Sequence, residues 1–273
     1  MELFGLDATV LSLAIVAIGF VLFAGIELLV PFRRLTQPRL RRWVTNLALF
    51  ALDSLALRIL LPLAMIGAAL VAEDRGWGLF NALDWPLWLE ALLTILLLDL
   101  ALYFQHWATH RIPLLWRMHR VHHVDRDFDI TTAARFHPFE IVLSMVYKMG
   151  VVALFGMAPL AVFVFVTGFT VLTLWTHSNL SLPPATERVV RAAIVTPDMH
   201  RIHHSVIRRE TDSNYGTFLS GWDRLFGTYV GEASRPQRSI AIGLANYQDD
   251  RPTRFGWSLL VPFLPDQGEE RHE

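Results

Sequence analysis

The stretch HWATHRIPLLWRMHRVHH, residues 106–123, carries five histidines in two groups directly after a long apolar segment. The first group has the spacing HxxxH, and the second has the spacing HxxHH. Residues three or four positions apart lie on one face of a helix, so each group can turn its imidazoles toward one pocket. The histidines of this stretch are His106, His110, His119, His122 and His123.

A second HxxHH group lies at residues 200–204, and single histidines stand at positions 137 and 177. Neutral imidazole is a common ligand of iron, zinc and copper. Ten imidazoles are too many for one ion, and they suffice for two ions that keep open positions. The pattern therefore predicts a metal centre built from His106, His110, His119, His122, His123, His137, His177, His200, His203 and His204.

The composition is that of a membrane protein. Of the 273 residues, 53% are hydrophobic and only 18% are charged, whereas soluble domains carry about a quarter charged residues. Apolar segments long enough to cross a bilayer run over residues 8–31, 43–72 and 85–106. The apolar stretch 139–176 is interrupted at Gly156 to Pro159, which predicts a helical hairpin. We therefore expect an all-α polytopic membrane protein with about three spanning helices, a helical hairpin and a histidine-rich cap.

Two features refine this topology. The second apolar segment is too long for one simple crossing and contains Pro62, which predicts either an interfacial start or a kink at the proline. Residues 31–42 and 107–138 carry five arginines each, and short loops rich in basic residues stay in the cytoplasm. We therefore expect the histidines on the cytoplasmic side, in a bacterial inner membrane rather than the endoplasmic reticulum.

Several classes of protein are disfavoured. The chain has no cysteine, which excludes thiolate metal sites and cysteine nucleophiles, and its net charge of −1 argues against nucleic-acid binding. Two alternatives stay open. A membrane zinc hydrolase would need a base beside its ligands, as in HExxH, and that motif does not occur. A metal transporter would hold its ligands near the middle of the bilayer.

Asp99 is a candidate partner of an imidazole, because it lies on a predicted span seven residues before His106. A carboxylate inside a span is costly and usually functional. We expect it to hold the N–H of a ligand imidazole, with a contact to Arg58 of another span as the alternative. Asn179 and Asp198, which lie close to predicted ligands in sequence, are further candidates for this role.

The motifs together resemble those of the fatty acid hydroxylase/sterol desaturase superfamily. Besides the three histidine groups, the resemblance rests on TTAARFHPFE at residues 131–140, HSN at 177–179, TPDMH at 196–200, NYG at 214–216 and WDRLFGT at 222–228. It covers about residues 90–230. The implied division is an N-terminal transmembrane region (1–89), a catalytic domain (90–230) and a polar C-terminal tail (231–273).

The resemblance implies a non-haem centre of two iron ions that uses O₂ as co-substrate. It gives ligand roles to the three histidine groups and to His177, and it leaves the role of His137 open. The chain carries no cytochrome b5-like segment, so we expect a separate cytochrome b5- or ferredoxin-like electron donor. The implied substrates are fatty acyl chains, sterols and related lipids.

Cleavage of an unactivated C–H bond needs an oxidant that no side chain supplies, so a metal must supply it. We therefore expect O₂-dependent hydroxylation or desaturation of a membrane lipid. The spacing within the groups suggests one ion on His106, His119, His122, His200 and His203. It suggests the other ion on His110, His123, His177 and His204.

Overall fold

The computed structural model describes residues 2–3, 6–84 and 86–265. In this part of the chain the fold is helical, apart from a short antiparallel pair of strands, β1 (Glu2–Leu3) and β2 (Leu6–Asp7). Trp85, the predicted start of the third span, and residues 266–273 of the predicted tail lie outside the described residues.

Five segments are long and apolar enough to cross a membrane, which confirms a multi-pass membrane protein. They comprise α1 (Ala8–Leu29), α2 with α3 (Arg39–Leu60 and Ala64–Arg75), α4 (Leu87–Arg111), α6 (Pro138–Phe155) and α7 (Pro159–Thr176). The second segment is broken around Pro62, because proline removes a helical hydrogen bond. A kink at this proline was one of the two predicted outcomes. The hairpin of α6 and α7 is also present.

The spanning helices pack around one apolar cluster drawn from α3, α4, α6 and α7, which includes Met65, Leu98, Val152, Met157 and Phe165. The opposite faces of the helices expose large apolar side chains such as Leu13, Ile18 and Leu154, which suits contact with lipid.

Two glycines lock the end of the hairpin that lies away from the histidines. Gly156 ends α6 with a φ of 68°, and Gly78 has a φ of 90°. A Cβ at Gly78 would collide with the backbone of Gly156. Glycine is required at both positions, because the two backbones touch in a conformation that other residues rarely adopt.

Shorter helices form a cap at the other end of the spans. They are α5 (Pro113–His123), α8 (Pro184–Arg191), α9 (Pro197–His203), α10 (Arg208–Thr211), α11 (Gly221–Leu225) and α12 (Phe255–Leu260). Prolines occupy the first positions of α5, α8 and α9, where their fixed φ suits a helix start and no N–H is lost.

The segment predicted as a polar tail has a structural role as far as it is described. Ile240 and Ile242 pack with Phe128, and Val261 packs with Leu49 and Val121. The described part of this segment therefore packs both on the cap and on α2, whose Thr45 donates a hydrogen bond to the carbonyl oxygen of Thr253 at 2.7 Å. The predicted boundaries at residues 89 and 230 stay a prediction.

Candidate metal centre

The cap and the ends of the spans bring nine histidines together in two sets. The five-histidine set consists of His106, His110, His119, His123 and His203. The four-histidine set consists of His122, His177, His200 and His204. Within each set, one nitrogen from every ring lies within 4.8 Å of the others. All nine rings except that of His106 are buried.

The spacing of the nitrogens suits a metal ion. In the four-histidine set, Nε2 of His177 lies 3.1 Å from Nε2 of His122 and 3.0 Å from Nε2 of His200. Two imidazole nitrogens bound about 2.1 Å from one ion are about 3.0 Å apart when they subtend a right angle. The donor atoms therefore converge as ligands of a shared ion would.

In the five-histidine set, Nδ1 of three rings is held from outside the set. Nδ1 of His106 lies 2.7 Å from the carbonyl oxygen of Tyr215, and Nδ1 of His203 lies 2.7 Å from that of Ser213. Nδ1 of His119 lies 2.6 Å from a carboxylate oxygen of Glu140. An acceptor at Nδ1 places the proton there and leaves Nε2 free to bind a metal.

Among the described residues, the four-histidine set is held by neutral groups. Nδ1 of His177 lies 2.8 Å from the carbonyl oxygen of Thr173, and Nδ1 of His122 lies 3.2 Å from that of Arg135. For Nδ1 of His200 and His204, the described residues provide no hydrogen-bond partner.

Imidazoles bind metal ions in their neutral form. Burial, reinforced by neighbouring histidines, lowers the pKa of His122, His123, His200 and His204 well below the ordinary value. Burial also lowers the pKa of His177 to about 4 and that of His203 to about 3. These six imidazoles are therefore neutral at pH 7, with lone pairs available for coordination.

The structure sorts the histidines differently from the sequence-based grouping. His122 and His200 were expected with His106, and His110 and His123 were expected in the other set. In the structure, His122 and His200 belong to the four-histidine set, and His110 and His123 belong to the same set as His106. His137 belongs to neither set: it caps the start of α6, where its Nδ1 accepts a hydrogen bond from the N–H of Phe139 at 3.2 Å.

The expected imidazole partners have other contacts. Asp99 accepts hydrogen bonds from the indole N–H of Trp222 at 2.7 Å and from the N–H of Leu219 at 3.1 Å. It lies seven residues before His106, which is about 10 Å along the helix axis and too far for contact. Its bonds instead hold the segment around residues 215–222, whose Tyr215 carbonyl orients His106.

Asn179 and Asp198 hold loops rather than imidazoles. The side chain of Asn179 exchanges hydrogen bonds with the backbone of Arg33, at 3.0 and 2.8 Å. Asp198 pairs with Arg201 at 2.6 Å and accepts a hydrogen bond from the hydroxyl of Ser181 at 2.8 Å.

Glu140 is the functional residue that the sequence-based analysis missed. It is buried in the first turn of α6, and its Oε1 faces His119. Such a carboxylate raises the basicity of the metal-bound ring. The available signal was its position, an acid at the start of an apolar helix directly after His137-Pro138-Phe139.

Buried charges of the N-terminal helices brace the cap. The guanidinium of Arg42 on α2 makes two hydrogen bonds of 2.8 Å to the carboxylate of Asp125 and also binds Asp129. Burial alone would raise the pKa of Asp125, but the pair with Arg42 lowers it to about 2. Glu27 on α1 accepts hydrogen bonds from the N–H groups of Asn179 at 2.9 Å and Ile130 at 3.2 Å. Both braces hold loops that directly follow histidines of the two sets.

An apolar cleft of about 470 Å³ adjoins the five-histidine set, between α4, α5 and α6. Its walls include Phe104, Trp107, Met118 and Leu143, and Glu140 contributes to its inner side. Ligand sites are concave, largely apolar and provided with a few polar groups, and the cleft has this character.

These features define a class: a helical, multi-pass membrane protein with a buried, all-histidine cluster at one end of its spans. The particular family follows from comparison with known proteins. The model of the family "Fatty acid hydroxylase" matches residues 91–228, and the chain belongs to this family. The chain matches no solved structure.

Curated relatives are lipid-modifying enzymes. The ornithine lipid hydroxylase OlsE of Rhizobium tropici is 31% identical over 160 residues, which are 58% of this chain and 47% of that protein. The alkylglycerol monooxygenase of Homo sapiens is 30% identical over 164 residues, 58% of this chain and 34% of the relative. Human cholesterol 25-hydroxylase is 27% identical over 152 residues, 54% of this chain and 53% of the relative. The matches thus span between about a third and about half of the relatives' length.

Proposed function

We propose that this protein is an O₂-dependent lipid hydroxylase whose nine clustered histidines hold two iron ions. The observation that carries the proposal is the division of nine histidines, eight of them buried, into two convergent sets. The family supports it, because its matched relatives are named as hydroxylases and monooxygenases. These names favour hydroxylation over desaturation.

The geometry favours iron over zinc. Structural zinc takes four ligands, and catalytic zinc takes three protein ligands and a water. A set of five histidines exceeds both numbers. Iron with imidazole ligands tolerates higher coordination and performs O₂ chemistry, which zinc, having no redox chemistry, does not.

The position of the histidines disfavours transport. Both sets lie at the cap, beside the ends of α4 and α7, whereas transporters bind their cargo near the middle of the bilayer. A closed cap that includes the segment around Ile240, Ile242 and Val261 suits a centre that retains its ions.

The proposed reaction converts a C–H bond of the lipid, O₂, two electrons and two protons into a C–OH group and water. Iron supplies the O₂ chemistry when it is bound. The chain's own residues would hold the ions through imidazole nitrogens, with the tautomers of His106, His119 and His203 fixed through Nδ1, and they offer an apolar cleft beside His119. Electrons come from a separate donor protein of the cytochrome b5 or ferredoxin type.

We also propose a cytoplasmic location for the cap, in a bacterial inner membrane. The basic loops at residues 31–42 and 107–138 support it, because short basic loops stay in the cytoplasm. An electron donor in the cytoplasm would then reach the cap without crossing the bilayer.

The test combines metal analysis with isotope labelling. The protein is purified in mild detergent from iron-supplemented cells and its metal is counted. It is then supplied with a reductant, ¹⁸O₂ and a lipid extract of its host. We expect two irons per chain and a lipid product that gains one ¹⁸O atom. The product should be lost in His122→Ala and kept in His137→Ala, because His137 lies outside both sets. Zinc in place of iron even after iron reconstitution, or oxygen from water in the product, would contradict the proposal.

A further inference from the structure

The cleft beside the five-histidine set opens sideways from the spanning helices. Phe104 and Trp107 on α4 and Leu143 on α6 line its mouth, and between 39% and 53% of each residue's surface is exposed. These residues belong to segments long and apolar enough to cross a membrane. A lipid can therefore enter the cleft from the bilayer without first passing through water.

The cleft is shallow along the direction of the spans. On its deep side, the hydroxyl of Tyr147 donates a hydrogen bond to the carbonyl oxygen of Ala101 at 3.1 Å, which joins α6 to α4. On the cap side, Leu115 and Met118 of α5 close it. Only a short segment of a lipid fits between these boundaries, so the rest of the chain must leave through the mouth.

The cleft also lies at the level of the membrane surface. The 25 residues of α4 span about 37 Å, compared with a hydrocarbon core of about 30 Å. His106 lies five residues, about 8 Å, before the end of this helix. Trp107 at the mouth agrees with this level, because tryptophan favours the interface between the bilayer and water.

The inner wall carries hydrogen-bonding groups that a hydrocarbon segment would leave unpaired. Oε2 of Glu140 and Oε1 of Gln105 are buried and have no hydrogen-bond partner among the described residues. Gln105 is held by Ser144, at 2.7 Å between Nε2 and the hydroxyl. Unpaired buried acceptors cost free energy, and a hydroxyl or N–H of the occupant would satisfy them.

We infer that the cleft binds a membrane lipid by the part next to its headgroup, and that the carbon oxidised is one of the first few beyond a hydroxyl or N–H group. The inference rests on the proposed function and specifies its substrate class. It excludes oxidation in the middle of a long chain, since the boundary at Tyr147 and Ala101 keeps that part away from the histidines.

Photo-cross-linking tests the inference without turnover. The intact protein, in phosphatidylcholine vesicles, is illuminated with a sixteen-carbon primary alcohol that carries a diazirine at its third or its twelfth carbon. We expect the third-carbon probe to label Met118 and the segment from Glu140 to Ser144 about tenfold more than the twelfth-carbon probe does, the ratio that a preference of 1.4 kcal/mol for one depth produces. Equal labelling, or stronger labelling by the twelfth-carbon probe, would overturn the inference.

Two matched variants identify the site of labelling. Leu143→Trp should block the mouth and remove the labelling, whereas Leu154→Trp changes an exposed leucine of the same helix outside the cleft and should leave it unchanged. Ser144→Leu, which fills the cleft from inside, should reproduce the effect of Leu143→Trp. Equal labelling in all three variants would place the probe elsewhere.

The outcome is separable from that of the proposed function, because cross-linking needs neither iron nor O₂. Depth-selective labelling of a protein that incorporates no ¹⁸O would support the binding site and contradict the proposed hydroxylase. Incorporation of ¹⁸O without depth-selective labelling would support the hydroxylase and contradict the binding site.

Discussion

The two histidine sets differ in the groups that hold their imidazoles. In the five-histidine set, a carboxylate of Glu140 binds His119, and a carboxylate oxygen of Asp212 lies 3.5 Å from Nδ1 of His110. In the four-histidine set, the described partners of His122 and His177 are neutral: backbone carbonyls hold both rings, and the hydroxyl of Thr176 lies 3.4 Å from Nδ1 of His177. A carboxylate strengthens a metal-bound imidazole more than a neutral carbonyl does. The five-histidine set should therefore hold its ion more tightly, and it is also the set beside the cleft.

The HxxHH groups connect the two sets. Neighbouring residues on a helix point about 100° apart, so adjacent histidines face different sides of the helix. His122 and His123 divide between the sets in this way, and so do His203 and His204. The two sets therefore share helices, and damage to one helix should affect both sets.

The largest effect should come from replacing one of two adjacent ligands. His203→Ala and His204→Ala should each reduce the iron content from about two to about one per chain and lower the hydroxylation rate by more than the 10- to 100-fold that loss of an outer partner costs. The ion lost should differ between the variants, which Mössbauer spectra can distinguish. His137→Ala is the control with unchanged iron. Loss of both ions from both variants would mean that the sets are one cooperative unit.

The fold was largely predictable from hydropathy, and the clustering of the histidines from their spacing, but the division of the histidines between the two sets was not. The sequence-based grouping paired His119 with His122 and His200 with His203, three residues apart. In the structure, the partners within a helix are four apart, as in His119 with His123. On a helix, side chains three residues apart differ in direction by about 60°, and side chains four residues apart differ by about 40°. Both pairs are close neighbours, so spacing alone does not show which pair shares a set. The position of the opposite helices makes that choice.

The hydrogen-bond partners of the site residues were also not predictable, because many of them are distant in sequence. The carbonyl of Tyr215 holds His106, and Arg42 of α2 binds Asp125. Both contacts depend on how the cap folds over the spans, and no local pattern marks them. Glu140 was closer to being predictable, because it is a carboxylate buried at the start of an apolar helix.

Acid should destabilise the metal-free protein through both sets. Burial lowers the pKa of His177 to about 4 and that of His203 to about 3, below the value of about 6.5 in an unfolded chain. The unfolded state therefore takes up protons first. The contribution to stability is complete above about pH 6.5 and falls below it, by about 3 kcal/mol per pH unit for the two residues together.

The measurement is the melting temperature of protein stripped with a chelator, between about pH 8 and about pH 5. His177→Phe tests the four-histidine set and His203→Phe tests the five-histidine set. Each variant should make the melting temperature less dependent on pH. A melting temperature that stays constant over this range, or rises toward pH 5, would show that the rings are not buried and neutral without metal.

Arg42→Met should weaken both sets equally. It leaves the carboxylates of Asp125 and Asp129 buried without their cation, which costs about 3–5 kcal/mol of stability. The loop they stabilise follows His122 and His123, one from each set. We expect a lower melting temperature and a proportional loss of both ions. Arg41→Met, at the exposed neighbouring position, is the control. Selective loss of one ion would show that the brace serves a single set.

Glu140→Gln should have the smallest effect and the most selective one. The variant keeps the size of the side chain but removes the charge that faces Nδ1 of His119. Loss of such a partner typically weakens metal affinity about 10- to 100-fold, and only the ion of the five-histidine set should respond. Competition with a chelator, followed separately for each ion, measures this. Glu90→Gln is the matched control, because Glu90 binds the N–H of Ala158 at the opposite end of the spans. Equal weakening of both ions would show that the contrast between the sets does not arise from their carboxylates, whereas selective weakening would assign the tighter ion to the side of the cleft.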